Sequence, residues 1–214
     1  MKSMILASWI SSATTQWQDS HDELTHLDSV AGDGDLGVTI RAGAVEVAAA
    51  IDELDSESSV GQILKACGAA FARGNPSSFA ALGSAGLLAA AKTAGEVLSI
   101  DREMALSCLE SAASKISERG HALPGDRTVL DSLMPSIKAL RAAPDGLEAG
   151  LKSMVEAASE GVQATTKMTP VRGRAAWVGE RGRGFPDGGA TAYLRLIEAL
   201  LLCVPDSERV HPSP

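Results

Sequence analysis

The chain has 214 residues, 45% of them hydrophobic but only 3% aromatic, and a net charge of -8. That length suits one domain, the Ala- and Leu-rich apolar content suits close helix packing better than sheet, and the acidic balance argues against nucleic acid or an anionic membrane as a partner. Cys67, Cys108 and Cys203 are odd in number, widely spaced and without a Cys-x-x-Cys pair, which argues against a disulfide framework or zinc knuckle and fits a cytoplasmic location.

Lys2 ahead of the apolar residues 4–10 gives the start a faint signal-peptide look, but the stretch is short and its pattern runs on. It reads as a first helix, traced by Leu6, Trp9, Ile10, Ala13, Trp17, Leu24 and Leu27. Val60, Ile63, Leu64, Cys67 and Phe71 trace another. Residues 79–91 form a small-residue apolar run, interrupted by Gly83, Ser84 and Gly86 and shorter than the ~20 residues of a membrane span. Val129, Leu130, Leu133, Met134, Ile137 and Leu140 trace a later helix, and Tyr193, Leu194, Ile197, Leu200, Leu201 and Val204 the last.

Turn-forming clusters at 32–37, 55–59, 74–78, 120–126, 144–146 and 169–189 mark connections in a chain of about eight helices, with no strand-like alternation and no fixed repeat. Short connections make sequential helices antiparallel, so the expected fold is all-α, an eight-helix up-and-down bundle or closed barrel forming a single domain over 1–214. The first, third, fifth and seventh connections then emerge at one end. Those are 32–37, 74–78, 120–127 and 169–189, the loops with unusual chemistry, and the shared parity points to one composite site.

In Leu27-Asp28-Ser29-Val30-Ala31-Gly32-Asp33-Gly34-Asp35-Leu36-Gly37-Val38-Thr39 the glycines let the backbone curl until the carboxylates of Asp33 and Asp35 converge, with Asp28 in reach. Three carboxylates repel unless a cation neutralises them, and an oxygen-only set selects Mg²⁺ or Ca²⁺. An EF-hand needs Glu at its twelfth position. Counting from Asp33 that position is Ala44, and from Asp28 it is Thr39, so that alternative fails. A solvated turn with a helix cap remains the plain alternative for the isolated Asp-Gly-Asp.

Mg²⁺ completes its shell with substrate phosphates, and a helix starting near Asp35 offers backbone N–H groups at Leu36, Gly37, Val38 and Thr39 as a cradle. The second loop, Gly74-Asn75-Pro76-Ser77-Ser78, adds hydroxyls and a further helix start, or simply caps its helix. The third, Arg119-Gly120-His121-Ala122-Leu123-Pro124-Gly125-Asp126-Arg127-Thr128, either lets a base or ribose approach the backbone or is a plain helix-helix turn. The fourth holds Arg172, Arg174, Arg181 and Arg183, a clamp for phosphates or a solvated lid. His21, His26, His121 and His211 lie outside the metal motif and read as ordinary.

These motifs, together with Gly173-Arg174-Ala175, Gly179-Glu180-Arg181 and Asp187-Gly188-Gly189-Ala190, resemble the L subunit, or nucleotide-binding domain, of dihydroxyacetone kinases over nearly the whole chain. The resemblance implies an eight-helix barrel binding ADP or ATP at one end, with Mg²⁺ held by Asp28, Asp33 and Asp35. It implies nucleotide contacts at Leu36, Gly37, Val38, Thr39, Ser77, Ser78, Gly120, Val129, Arg181, Asp187 and Gly188, with Arg181 as the catalytic residue.

It further implies phosphoryl transfer to a hydroxyl of a small ketose or triose held by a separate K-type subunit, a place in glycerol metabolism, and a homodimer as a possible assembly. The donor is exchangeable ATP, or bound ADP recharged by a phosphotransferase-system protein; Gly32-Asp33-Gly34-Asp35 with Val38-Thr39 is closer to the ATP-using branch. A kinase subunit serving carrier-bound fatty acid and a non-catalytic ADP sensor are the rivals. Leu36, Pro76 and Phe79 depart from the family pattern, where His, Cys or Thr, Gly and Gly are usual.

Overall fold

The computed structural model describes residues 1–172 and 184–209. Among them are nine α-helices and no strand, with one isolated antiparallel bridge between Lys2 and Ser99. The helices are α1 (Ser3–Trp17), α2 (His21–Ala31), α3 (Leu36–Asp52), α4 (Val60–Gly74), α5 (Ser78–Ala94), α6 (Arg102–Gly120), α7 (Leu130–Ala142), α8 (Leu147–Thr165) and α9 (Gly188–Leu202). A 3₁₀ turn over Gln18–Ser20 joins α1 to α2, so the two occupy the course of the expected first helix and the eight-helix count holds.

Local chemistry sets the starts. Ser59 caps α4 in a reciprocal capping box with Gln62, and Ser77, Asp101 and Asp187 each accept from the backbone N–H three residues on. The polar side chain satisfies a donor that the first turn leaves unpaired.

Successive helices from α3 to α9 pack on their neighbours in the chain. The ring closes where α1 lies against both α3 and α9. Trp9 and Trp17 fasten that closure, their indole N–H groups donating to the carbonyls of Leu200 (2.8 Å) and Ala192 (2.9 Å). Leu24, Ile40, Ile63, Leu130 and Ile197 are fully buried in the core.

At one end the Met1 ammonium donates to Ile100 and Arg102 donates to Ala143. The other end holds the connections expected to share it. No described helix is long and apolar enough to cross a membrane.

The seam between α7 and α8 is tight for a specific reason. Pro135 lies inside α7 and has no N–H, so the carbonyl of Asp131 lacks its usual helical donor. That carbonyl occupies the space a Cβ at Gly161 would fill. At Gly150 a Cβ would meet only the tip of the Leu140 side chain, at 2.9 Å. Gly161→Ala is expected to destabilise by about 1–3 kcal/mol through overpacking, despite the roughly 1 kcal/mol that Ala gains in helix propensity. Gly150→Ala is expected to be near neutral, and urea unfolding of the two variants distinguishes them; equal midpoints would contradict the account.

Candidate functional site

Asp28 lies in the last turn of α2, whose end is closed by the N–H of Gly32 donating to the Asp28 carbonyl. A Cβ at residue 32 would collide with the Asp28 carboxylate, so glycine there keeps that group in place. Gly34 takes a φ of +78°, a left-handed turn that returns the chain towards Asp35 and the start of α3. One carboxylate oxygen each from Asp28, Asp33 and Asp35 thereby lies within 4.8 Å of the others. Burial and the neighbouring Asp28 push the Asp35 carboxyl above its ordinary pKa. Crowded anionic oxygens with no nitrogen or sulfur donor among them fit a hard divalent cation such as Mg²⁺.

The amides of α3 divide unequally. Leu36 donates its N–H to the Asp28 carboxylate (3.2 Å) and Thr39 donates to the Asp35 carbonyl (2.9 Å). Gly37 and Val38 are therefore the helix-start positions best placed to offer N–H groups outward. Val38 is exposed, whereas Gly37 is buried where α3 presses on His21 and Thr25 of α2.

Thr39 is fully buried. Its hydroxyl donates to Ser77 Oγ (3.1 Å) and accepts from Asn75 Nδ2 (2.8 Å), joining the first and second loops. Ser77 caps α5, and Ser78 is exposed at the first residue of that helix. Phe79 packs edge-on against Phe71, which stacks on Trp17, and its ring also faces the backbone at Gly189. The side chain of Leu36 lies beneath Gly188.

The third loop is built around Asp131, a buried carboxylate that accepts from the backbone N–H of Gly125 (2.5 Å) and Thr128 (2.8 Å). Arg127 sits between those two positions at φ 61°, the left-handed region that side chains rarely adopt, and is only 2% exposed. It donates to the carbonyl of Phe185 (2.9 Å), and the Phe185 ring meets His26 of α2 edge-on. Asp126 accepts from the Leu123 N–H and from Arg172, which together lower its carboxyl pKa.

Gly120 ends α6 and Val129 immediately precedes α7, flanking this loop. Asp187 caps α9, and its carboxyl is pushed up to about 6 by burial, against the opposing effects of the Ala190 N–H and of Arg127. The Asp28–Asp33–Asp35 group, the α5 start, the third loop and the α9 start are thus linked at one end through Thr39, Leu36, Phe79 and Phe185.

Arg174, Arg181 and Arg183 lie outside the described residues. Arg127 and Asp131 carry structural roles that the sequence did not assign to them. The available signal was Thr128-Val129-Leu130-Asp131, a Thr-x-x-Asp spacing typical of helix starts.

The family model for the DAK2 domain matches residues 30–202. The L-erythrulose 1-kinase of Mycolicibacterium smegmatis is 34% identical over 185 residues, 85% of this chain and 32% of that protein. The D-erythrulose kinase of the same organism is 30% identical over 87% of this chain and 33% of that protein, so this chain spans about a third of either enzyme. The PEP-dependent dihydroxyacetone kinase, ADP-binding subunit DhaL, of Escherichia coli is 26% identical over 92% of this chain and 95% of that subunit. The dihydroxyacetone kinase of C. freundii, solved with AMP-PNP and Mg²⁺, superposes with a TM-score of 0.72 at 24% identity, covering 92% of this chain and 33% of that one. At that identity the likeness establishes the helical fold.

Thr39→Val keeps the side-chain shape but removes the hydroxyl between Asn75 and Ser77. The expected loss is about 1–3 kcal/mol in chemical denaturation, since a part-buried donor is left unpaired. No change would show that the two loops are not held together through this residue.

Proposed function

The chain belongs to the DAK2 domain family, and on that premise we propose that it is the nucleotide-binding part, one domain over residues 1–214, of a kinase acting on small ketoses. The observation that carries this reading is the convergence of Asp28, Asp33 and Asp35 within 4.8 Å beside the start of α3. A helix start next to a divalent-cation site is suited to hold a nucleotide's phosphates.

Asp28, Asp33 and Asp35 would hold Mg²⁺, which would supply positive charge to offset that of the nucleotide's phosphates. The N–H groups of Gly37 and Val38 and the hydroxyl and N–H of Ser78 orient those oxygens, while Gly188 at the α9 start closes over Leu36. Arg181 is assigned the charge that develops on the transferred phosphoryl group. The γ-phosphoryl bond to ADP breaks as the acceptor oxygen bonds to phosphorus, and the acceptor hydroxyl gives up its proton to a base on the partner.

The acceptor is a three- or four-carbon ketose held by a separate K-type subunit or domain. The erythrulose kinases, at 34% and 30% identity and about three times this chain's length, support both the four-carbon option and the division of labour. The likeness to the ADP-binding subunit of Escherichia coli supports the nucleotide. A phosphotransferase-system donor that recharges bound ADP is the variant which that relative's name suggests. We favour exchangeable MgATP, in keeping with Gly32-Asp33-Gly34-Asp35.

Calorimetry with ADP and ATP in Mg²⁺ tests the reading. Dissociation constants of about micromolar or tighter are expected for the native chain, with losses of about tenfold or more, equivalent to about 1.4 kcal/mol, for Asp33→Ala and Asp35→Ala at unchanged melting temperature. A native chain that binds neither nucleotide sinks the proposal.

A further inference from the structure

Arg127 combines three properties seldom found together: an almost fully buried guanidinium, a left-handed backbone and a place in a loop with no assigned part in catalysis. The unfavourable backbone conformation needs surrounding structure to sustain it. Asp131 supplies that structure by accepting from Gly125 and Thr128 on either side. The buried cation is thus aimed by its own loop.

Its target is the short segment that leads into α9. Arg127 donates to the carbonyl of Phe185, and two residues later the Asp187 N–H donates to Thr165 Oγ1 at the end of α8 (2.9 Å). Asp187 then caps α9 through the Ala190 N–H (2.8 Å). Among the described residues, the charged groups that act on Asp187 are Arg127, which favours its ionised form, and Asp131, which opposes it. One guanidinium therefore fixes the backbone ahead of the cap and, after burial and the Ala190 N–H, also acts on the charge of the cap itself.

We infer that Arg127 is a positioning residue for the nucleotide pocket: acting through Phe185 and Asp187, it holds the start of α9 so that Gly188 and Gly189 are presented over Leu36 and Phe79. The inference rests on the nucleotide reading given above. It assigns Arg127 no contact with the ligand and no step in phosphoryl transfer. The geometry behind it is continuous, because a Cβ at Gly188 would lie 3.0 Å from the side chain of Leu36, the residue following Asp35, and one at Gly189 would lie 3.5 Å from the ring of Phe79, next to Ser78.

The test uses the full chain as Arg127→Met, Arg127→Lys and Asp187→Asn, and the Met and Asn changes combined. MgADP affinity is measured by calorimetry, the Asp187 carboxyl is titrated by carbon NMR, and circular dichroism checks the fold. Arg127→Met is expected to weaken MgADP by about tenfold or more. It is also expected to raise the Asp187 pKa above its native value, because the nearby cation is gone. Arg127→Lys restores the cation and is expected to return the titration towards native while recovering part of the affinity. It also stands in if the Met variant does not fold.

The Met and Asn changes together are expected to cost less than the sum of their separate effects, as coupled neighbours do. A merely structural role would lower stability without a change in MgADP affinity that Lys rescues, and that pattern overturns the inference. Unchanged MgADP affinity in Arg127→Met, with the native chain binding, overturns it too. If the native chain does not bind MgADP, the nucleotide reading fails and carries the inference with it, a result distinct from native binding with indifferent variants.

Discussion

Two indole N–H groups on α1 reach across to backbone carbonyls of α9, and with them the first helix is fixed to the last. The antiparallel alternation of sequential helices puts every second connection at the same end, and closure of the ring brings the last of them round beside the first. The order of helices around the ring follows the chain, so the connections before α3, α5, α7 and α9 become neighbours although more than 150 residues separate the first from the last. The interlocking of Thr39 with Asn75 and Ser77, of Arg127 with Phe185, and of Gly188 with Leu36 follows from it.

Charge at this end is arranged in two groups of different character. Asp28, Asp33 and Asp35 are crowded at a turn with partial access to solvent, and Asp35 is made harder to ionise by burial first and by the neighbouring Asp28 second. A divalent cation relieves that repulsion, which makes the group suited to binding a metal with its phosphate ligand. Asp131 and Asp187 are instead grouped with Arg127, and their oxygens are engaged by backbone donors. The first group is built to receive charge from outside, the second to be internally balanced and to hold its loops in position.

Much of this was legible in the residues. Helical spacing of Leu6 through Leu27 and of Tyr193 through Val204 marked the first and last elements, and loop parity placed the motifs at one end. The glycines around Asp33 and Asp35 signalled a turn tight enough for carboxylates to meet. The 3₁₀ turn at Gln18–Ser20 was not legible, because it continues the helical path and shifts the apolar stripe only slightly. Nor was the burial of Arg127 or of Thr39, since each depends on a partner contributed by a different loop: Phe185 for one, Asn75 and Ser77 for the other. Local sequence gives the helix start at Leu36, but which of its amides are already engaged depends on where the Asp28 carboxylate ends up.

The central claim is that a metal-bound nucleotide sits at the loop end of the barrel, with the three aspartates as its anchor. Crystals grown with ADP and Mn²⁺ in place of Mg²⁺ test it most directly, through the anomalous signal of the metal. The account predicts one strong peak among the carboxylates of Asp28, Asp33 and Asp35, with the ADP phosphates joining it to the starts of α3 and α5. A peak elsewhere, or ADP bound at the opposite end beside Met1 and Ile100, would contradict it.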